Sequence, residues 1–248
     1  MKARQRIRRF VLFLIFLTFP ITLNYFSVYL IIEAGAQGIA NFSFFFWSLW
    51  TVAGLIVGRA GCCYICPLGA IQETADRMIL KNLIHIKYLK VIKYILAVLW
   101  VSAVIMAIVS AGGYKSVHLL YNTEKFVSVD SLPNLMMYFS IVLAVLIPAL
   151  IFGKRGFCHY LCPWGVLNIA GTKIKTALKY PSLCLKAEAD KCKNCGTCDR
   201  NCTMSLNVSK IVKSGSMRNT ECILCGACVD TCPNSAIMYS WHSENELI

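Results

Sequence analysis

Charge is scarce in this sequence, and negative charge is scarcest. Asp, Glu, Lys and Arg make up 15% of the 248 residues, with 12 acidic against 25 basic side chains. A soluble domain carries about 25% charged residues. That shortfall, beside 57% hydrophobic residues, excludes an ordinary water-soluble globule and points to an integral membrane protein. Histidine is scarce too: the four are His85, His118, His159 and His242. None lies within a long apolar stretch, which argues against a haem held inside the bilayer by paired histidines. No glycine-rich dinucleotide fingerprint opens a helix after a strand, so a hydride donor belongs to a partner. The net charge of +13 does not indicate nucleic acid. Much of it flanks the apolar segments, the pattern of charge at a membrane surface.

Four apolar stretches approach the roughly 20 residues that cross a bilayer. They run from Phe10 to Ile32, Ile39 to Val57, Leu89 to Ser110 and Leu135 to Phe152. Lys2, Arg4, Arg6, Arg8 and Arg9 precede the first, and Arg59, Arg77 and Lys81 follow the second. Lys154 and Arg155 follow the fourth, whereas the turn after the first has no Lys or Arg. Basic ends therefore alternate. The positive-inside rule predicts a multi-pass protein of a prokaryotic cytoplasmic membrane, with both termini on the cytoplasmic side.

What is abundant is cysteine, 14 in all. Near the C-terminus stand Cys192, Cys195, Cys198 and Cys202, then Cys222, Cys225, Cys228 and Cys232 followed by Pro233. This is the spacing that holds two [4Fe–4S] clusters in bacterial ferredoxins, where the fourth cysteine of each run serves the other cluster. One ligand set is then Cys192, Cys195, Cys198 and Cys232. The other is Cys222, Cys225, Cys228 and Cys202. Zinc sites favour cysteine pairs separated by a longer gap and fit this run poorly. Thr203 stands where proline usually follows the fourth cysteine of such a run.

An internal repeat carries four more cysteines. Arg59-x2-Cys62-x-Tyr64-x-Cys66-Pro67-x-Gly69 recurs as Arg155-x2-Cys158-x-Tyr160-x-Cys162-Pro163-x-Gly165. Each copy follows an even-numbered apolar stretch, so the membrane unit reads as two helical hairpins. Cys62, Cys66, Cys158 and Cys162 jointly supply the ligands of a third cluster at the membrane surface, or form a reversible dithiol or metal site, or are structural thiols. Cys63 and Cys184 are left over. Basic amphipathic helices are expected after the turns, near Ile71 to Ile86 and Val166 to Tyr180, lying on the membrane surface.

The fold class that follows is an α-helical membrane protein of four transmembrane helices in two hairpins. A small α+β two-cluster ferredoxin-like domain ends it. The expected units are 1–165 for the membrane domain, 166–189 for an amphipathic surface linker, 190–240 for the cluster domain and 241–248 for a tail.

This combination resembles the NapH family, the membrane quinol-dehydrogenase subunits associated with periplasmic nitrate reductase. It is similar to the iron–sulfur core of NosR and of FixG/RdxA-type proteins. The paired Cys-x3-Cys-Pro turns carry the resemblance, which spans nearly the whole chain. It implies an electron-transfer subunit of a quinol dehydrogenase or reductase complex, relaying electrons between the quinone pool and a redox partner. That partner would be a ferredoxin-like subunit, a cytochrome or a reductase. A maturation factor that reduces a metal or thiol in another enzyme is the alternative. No acid or histidine lies within a span to take a quinol proton, which leaves the interfacial Glu73, Asp76, His85 and His159 as candidates.

Overall fold

The computed structural model describes residues 2–75, 84, 86, 88–122, 127–129, 131–178, 181–217 and 219–242. Asp76, His85, most of the stretch 76–86 and the tail beyond 242 lie outside the described residues.

Helix α1 runs Ala3–Thr22, a 3-10 turn covers Asn24–Phe26, and α2 runs Tyr29–Ala36. The expected first span is therefore two helices rather than one. The cause is polar chemistry at the break. The carbonyls of Asn24 and Tyr25 accept from the Ser43 hydroxyl (2.7 and 3.0 Å), and that of Phe26 accepts from the Trp47 indole (3.2 Å). The Asn24 backbone N–H donates to Ser128 Oγ (3.0 Å). Backbone groups freed from the helix ladder thus find partners, as burial requires.

Strand β1 (Ile39–Ala40) precedes α3 (Phe42–Val57), whose first turn is capped by Asn41 Oδ1 accepting from the Phe44 N–H at 3.0 Å. The second apolar stretch is thus helical only from Phe42. Two short helices follow, α4 (Gly61–Tyr64) and α5 (Pro67–Thr74). Then come α6 (Lys90–Ser110), β2 (Ser116–Val117) paired in parallel with β1, α7 (Leu132–Phe152), α8 (Gly156–Tyr160) and α9 (Pro163–Leu178). Both helices after the turns begin earlier than expected, at the prolines of the motif. Proline's fixed φ suits the first helical turn, and the cysteine before it is held out of the helical region, Cys66 lying at ψ 121°.

The helices around the repeated motif also repeat, although their sequences do not show it. α1, α3, α4 and α5 correspond to α6, α7, α8 and α9. α1 packs on α5 as α6 packs on α9, and the halves exchange their last helices, α5 lying on α7 and α9 on α3. Accordingly α9 is not a surface linker. Asn168, Ile169, Gly171 and Lys175 are buried, and Gly171 faces the backbone of Gly54 at ordinary contact distance.

α6 and α7 are long and apolar enough to cross a membrane by length and composition, while α3 is shorter. Only 17% and 11% of their apolar windows are buried inside the protein, unlike a core helix of a soluble domain. Leu99, Ile105, Met106, Val109, Met136, Phe139 and Ile151 point outward. Such a surface is costly in water and points to membrane association.

The C-terminal unit begins earlier than expected. Strand β3 (Ser182–Ala187) pairs antiparallel with β4 (Ile237–His242), from Ser182 opposite His242 to Ala187 opposite Ile237. Between them lie a 3-10 turn (Ala189–Lys191), α10 (Thr197–Arg200), α11 (Val208–Lys213) and α12 (Ala227–Thr231). This unit sits at the end of the bundle where α1 and α6 start and α3 and α7 finish. Arg4 and Gln5 of α1 reach Asp230, and Lys93 of α6 reaches Glu221.

Candidate iron–sulfur sites

Three cavities are each lined by four cysteines. One is lined by Cys192, Cys195, Cys198 and Cys232. A second is lined by Cys202, Cys222, Cys225 and Cys228. The third, between the two repeated turns, is lined by Cys62, Cys66, Cys158 and Cys162. Ile223 lines both the second and the third, so these two share a wall. Cys198 and Cys228 share a hydrophobic core, which brings the first next to the second.

In the C-terminal unit a 30-residue offset relates the two cysteine loops. Gly196 and Gly226 both adopt left-handed conformations (φ 67° and 71°), as do Asn194 and Leu224 two residues earlier (φ 56° and 53°). These tight loops wrap each run of three cysteines around its cavity. The fourth cysteines accept backbone N–H bonds at matching places, Cys202 Sγ from Leu206 (3.4 Å) and Cys232 Sγ from Ala236 (3.3 Å). Thr203 has a role that proline lacks: its hydroxyl lies 3.4 Å from Cys225 Sγ. Burial pushes the Cys202 thiol up to about 11 and the Cys222 thiol up to about 12. Iron bound there would have to displace their protons.

The central cavity has the same chemistry. Burial, then repulsion from Cys62 and Cys158, pushes Cys66 up to about 12. Cys162 is pushed up by burial and by repulsion from the other three thiols, so the four sulfurs surround one space. Backbone N–H groups of Gly69 and Gly165 favour the thiolates of Cys66 and Cys162. Gln72 Nε2 donates to Cys158 Sγ across the repeat (3.1 Å). Among the described residues no three His, Cys, Asp or Glu side chains converge where a single metal ion would sit.

The motif's arginines cross over. Arg155 of the second copy sits against Gly69 of the first, and Arg59 of the first against Gly165 of the second. Arg155 Nη1 donates to the Cys62 carbonyl (2.9 Å) and Nη2 to Glu73 (2.6 Å). Glu73 also accepts from the buried Arg8 (2.8 Å through Nη1). Arg59 Nη1 donates to the Thr220 carbonyl (2.9 Å) and to Glu221 (3.0 Å), which also pairs with Lys93. Burial works against ionisation at both carboxyls, but the cations outweigh it and hold them down to about 2, Arg155 and Arg8 at Glu73 and Arg59 and Lys93 at Glu221. Glu221 escaped sequence reasoning, because nothing in its neighbourhood signals that two buried cations face it.

Two of the expected interfacial proton acceptors are tied up by neighbours instead. Glu73 is buried and held ionised between two guanidinium groups. His159 is buried, bonds the Met204 carbonyl through Nε2 (3.0 Å), and is pushed down to about 4 by burial. Both are structural ties at neutral pH. Asp76 and His85 lie outside the described residues. The two leftover cysteines line none of the three cavities. Cys63 is fully buried, its Sγ donating to Ala60 and Ile223 carbonyls (both 3.1 Å), and Cys184 sits in β3.

Comparison with known proteins agrees with this chemistry. Residues 191–237 match a 4Fe-4S dicluster domain, and 40–87 and 134–180 each match a 4Fe-4S binding domain, one around each repeated turn. YccM of Escherichia coli K12, whose name describes electron transport, is 24% identical over 190 residues, 73% of this chain and 51% of that protein. An uncharacterized protein of Methanocaldococcus jannaschii is 25% identical over 210 residues, 78% of this chain and 69% of its own. Protein NirI of Paracoccus denitrificans is 29% identical over 191 residues, 75% of this chain and 26% of NirI. The chain thus spans about half of YccM and a quarter of NirI. No solved structure matches the chain.

Proposed function

We propose that this chain, an iron–sulfur electron-transfer protein, is a membrane relay of the NapH type between the quinone pool and a redox partner protein. The observation that carries the reading is the row of three adjoining four-cysteine cavities. The row runs from the end of the apolar helices to the exposed Cys195. [4Fe–4S] clusters held there supply one-electron transfer. Cys62, Cys66, Cys158 and Cys162 hold the cluster nearest the membrane. Cys202, Cys222, Cys225 and Cys228 hold the middle one, and Cys192, Cys195, Cys198 and Cys232 the outermost.

The chain's own residues keep the row dry and close. Ile223 separates the first two cavities, and Trp47, Trp50 and Trp164 close the membrane side. Glu221 and Asp230 bind the cluster unit to the bundle through Arg59, Lys93 and Arg4. The outermost cavity opens beside exposed Lys193 and Arg200, which suits an acidic face on the partner. Four apolar elements, α1, α3, α6 and α7, cross the membrane in alternating directions, and all three cavities lie on the cytoplasmic side.

The test is anaerobic mixing of the loaded full chain with a short-chain quinone couple. Quinol is expected to bleach the visible cluster absorption, or the matching quinone to restore it after chemical reduction. Bleaching by dithionite with no response to either quinol or quinone would contradict the quinone reading.

A further inference from the structure

The central cavity differs from the other two in what faces it besides sulfur. Arg59, Arg155 and Trp164 all line it. Among the described residues, the Nε–H groups of both arginines and the indole N–H of Trp164 are buried and have no hydrogen-bond partner. A buried donor left unpaired is costly, and three of them meet at this one cavity. The ion pairs do not account for them. Those bonds use the terminal nitrogens, Nη1 of Arg59 and both Nη groups of Arg155. Nor can Trp164 turn freely, because its ring stacks on Trp47 at 4.2 Å and meets Trp100 edge-on at 4.6 Å.

We propose that Arg59, Arg155 and Trp164 are hydrogen-bond donors to the sulfur atoms of the central cluster, and that they hold its reduction potential above those of the other two. The inference rests on the reading that this cavity holds a cluster. Anionic thiolates and sulfides are the acceptors that the orphaned donors lack. The donors come from both repeat copies, so each half of the membrane unit contributes a guanidinium as well as two cysteines. Donors and positive charge favour the more negative, reduced form and raise the potential. Among the described residues no arginine lines either of the other two cavities. Among those residues the middle one has no basic side chain in its lining, and the outermost has only the exposed Lys191 and Lys193.

These are positioning residues, and the readout is potential rather than activity. In the loaded full chain, Trp164→Phe keeps the ring stack and removes only the N–H. Redox titration followed by EPR is expected to show one of three midpoint potentials falling. A tenfold weaker reduction equilibrium is about 59 mV for a one-electron couple. The other two should stay, and iron content should not change. An unchanged set of potentials, or an equal fall in all three, would overturn the proposal while leaving the cluster reading intact. If a Cys66→Ala, Cys162→Ala variant keeps all its iron, the cluster reading fails and the proposal with it. Should Trp164→Phe lose iron, pulsed EPR of wild-type chain labelled with 15N-arginine decides. A nitrogen coupling on the signal absent from the cysteine variant supports the proposal, and no coupling there overturns it.

Discussion

Glu73→Gln is expected to remove about 3–5 kcal/mol of stability, because it leaves two buried guanidinium groups without their carboxylate. Arg8 and Arg155 are both buried, and Glu73 pairs with both. Their remaining bonds go to neutral groups, Gln5 and the Cys63 carbonyl for Arg8 and the Cys62 carbonyl for Arg155. A loss of that size is a large part of the roughly 5–15 kcal/mol that holds a typical protein folded. Thermal loss of cluster absorbance in detergent measures it. Arg4→Ala is the control. Its pair with Asp230 is one-third exposed on the arginine side, and Gln5 still donates to Asp230 (2.7 Å) without it, so its loss is expected to cost less, about 1 kcal/mol. Equal shifts in the two variants would contradict the account. The same network sets an acid limit. The folded-state values of Glu73 and Glu221 lie near 2, below the ordinary 4.5. Their contribution is therefore full above about pH 4.5 and is lost as pH falls toward 2.

Gly69→Ala is expected to lose the central cluster although it removes no ligand. A Cβ at Gly69 would stand 2.7 Å from the Cys62 carbonyl oxygen and 2.8 Å from Arg155 Nη1. The first contact is with backbone and cannot give cheaply. Relief must push Cys62 or Arg155 away from the cavity both line. Iron is expected to fall by about one third, the share of one cluster in three. Gly165→Ala is the gentler counterpart, since its closest contact is 3.3 Å to the Arg59 side chain. Full iron in Gly69→Ala would show that the crossed arginine–glycine contact does not shape the cavity.

The grouping of the cysteines was legible in the sequence as local spacing and as a repeat, and each group of four lines a single cavity. What surrounds the repeat was not. The pairing of α5 with α7 and of α9 with α3 is long-range packing, and no periodicity reports which apolar face meets which. The break after Thr22 depends on Ser43, Trp47 and Ser128, each far along the chain from the carbonyls or N–H it satisfies. Lys173, Lys175 and Lys179 read as the basic face of an amphipathic surface helix, yet Lys175 is buried and donates to the Leu183 carbonyl (3.0 Å). Arg59 and Arg155 stood in the repeat without a role until the structure placed each against the other copy's glycine.

The most direct measurement is iron and acid-labile sulfide per chain in the anaerobically loaded protein, beside EPR of the reduced form. The account predicts about twelve irons, three clusters of four, with about four lost in the Cys66→Ala, Cys162→Ala variant and two ferredoxin-type signals kept. About eight irons in both proteins would contradict it, and would make the repeated turns a thiol site rather than the membrane end of a relay.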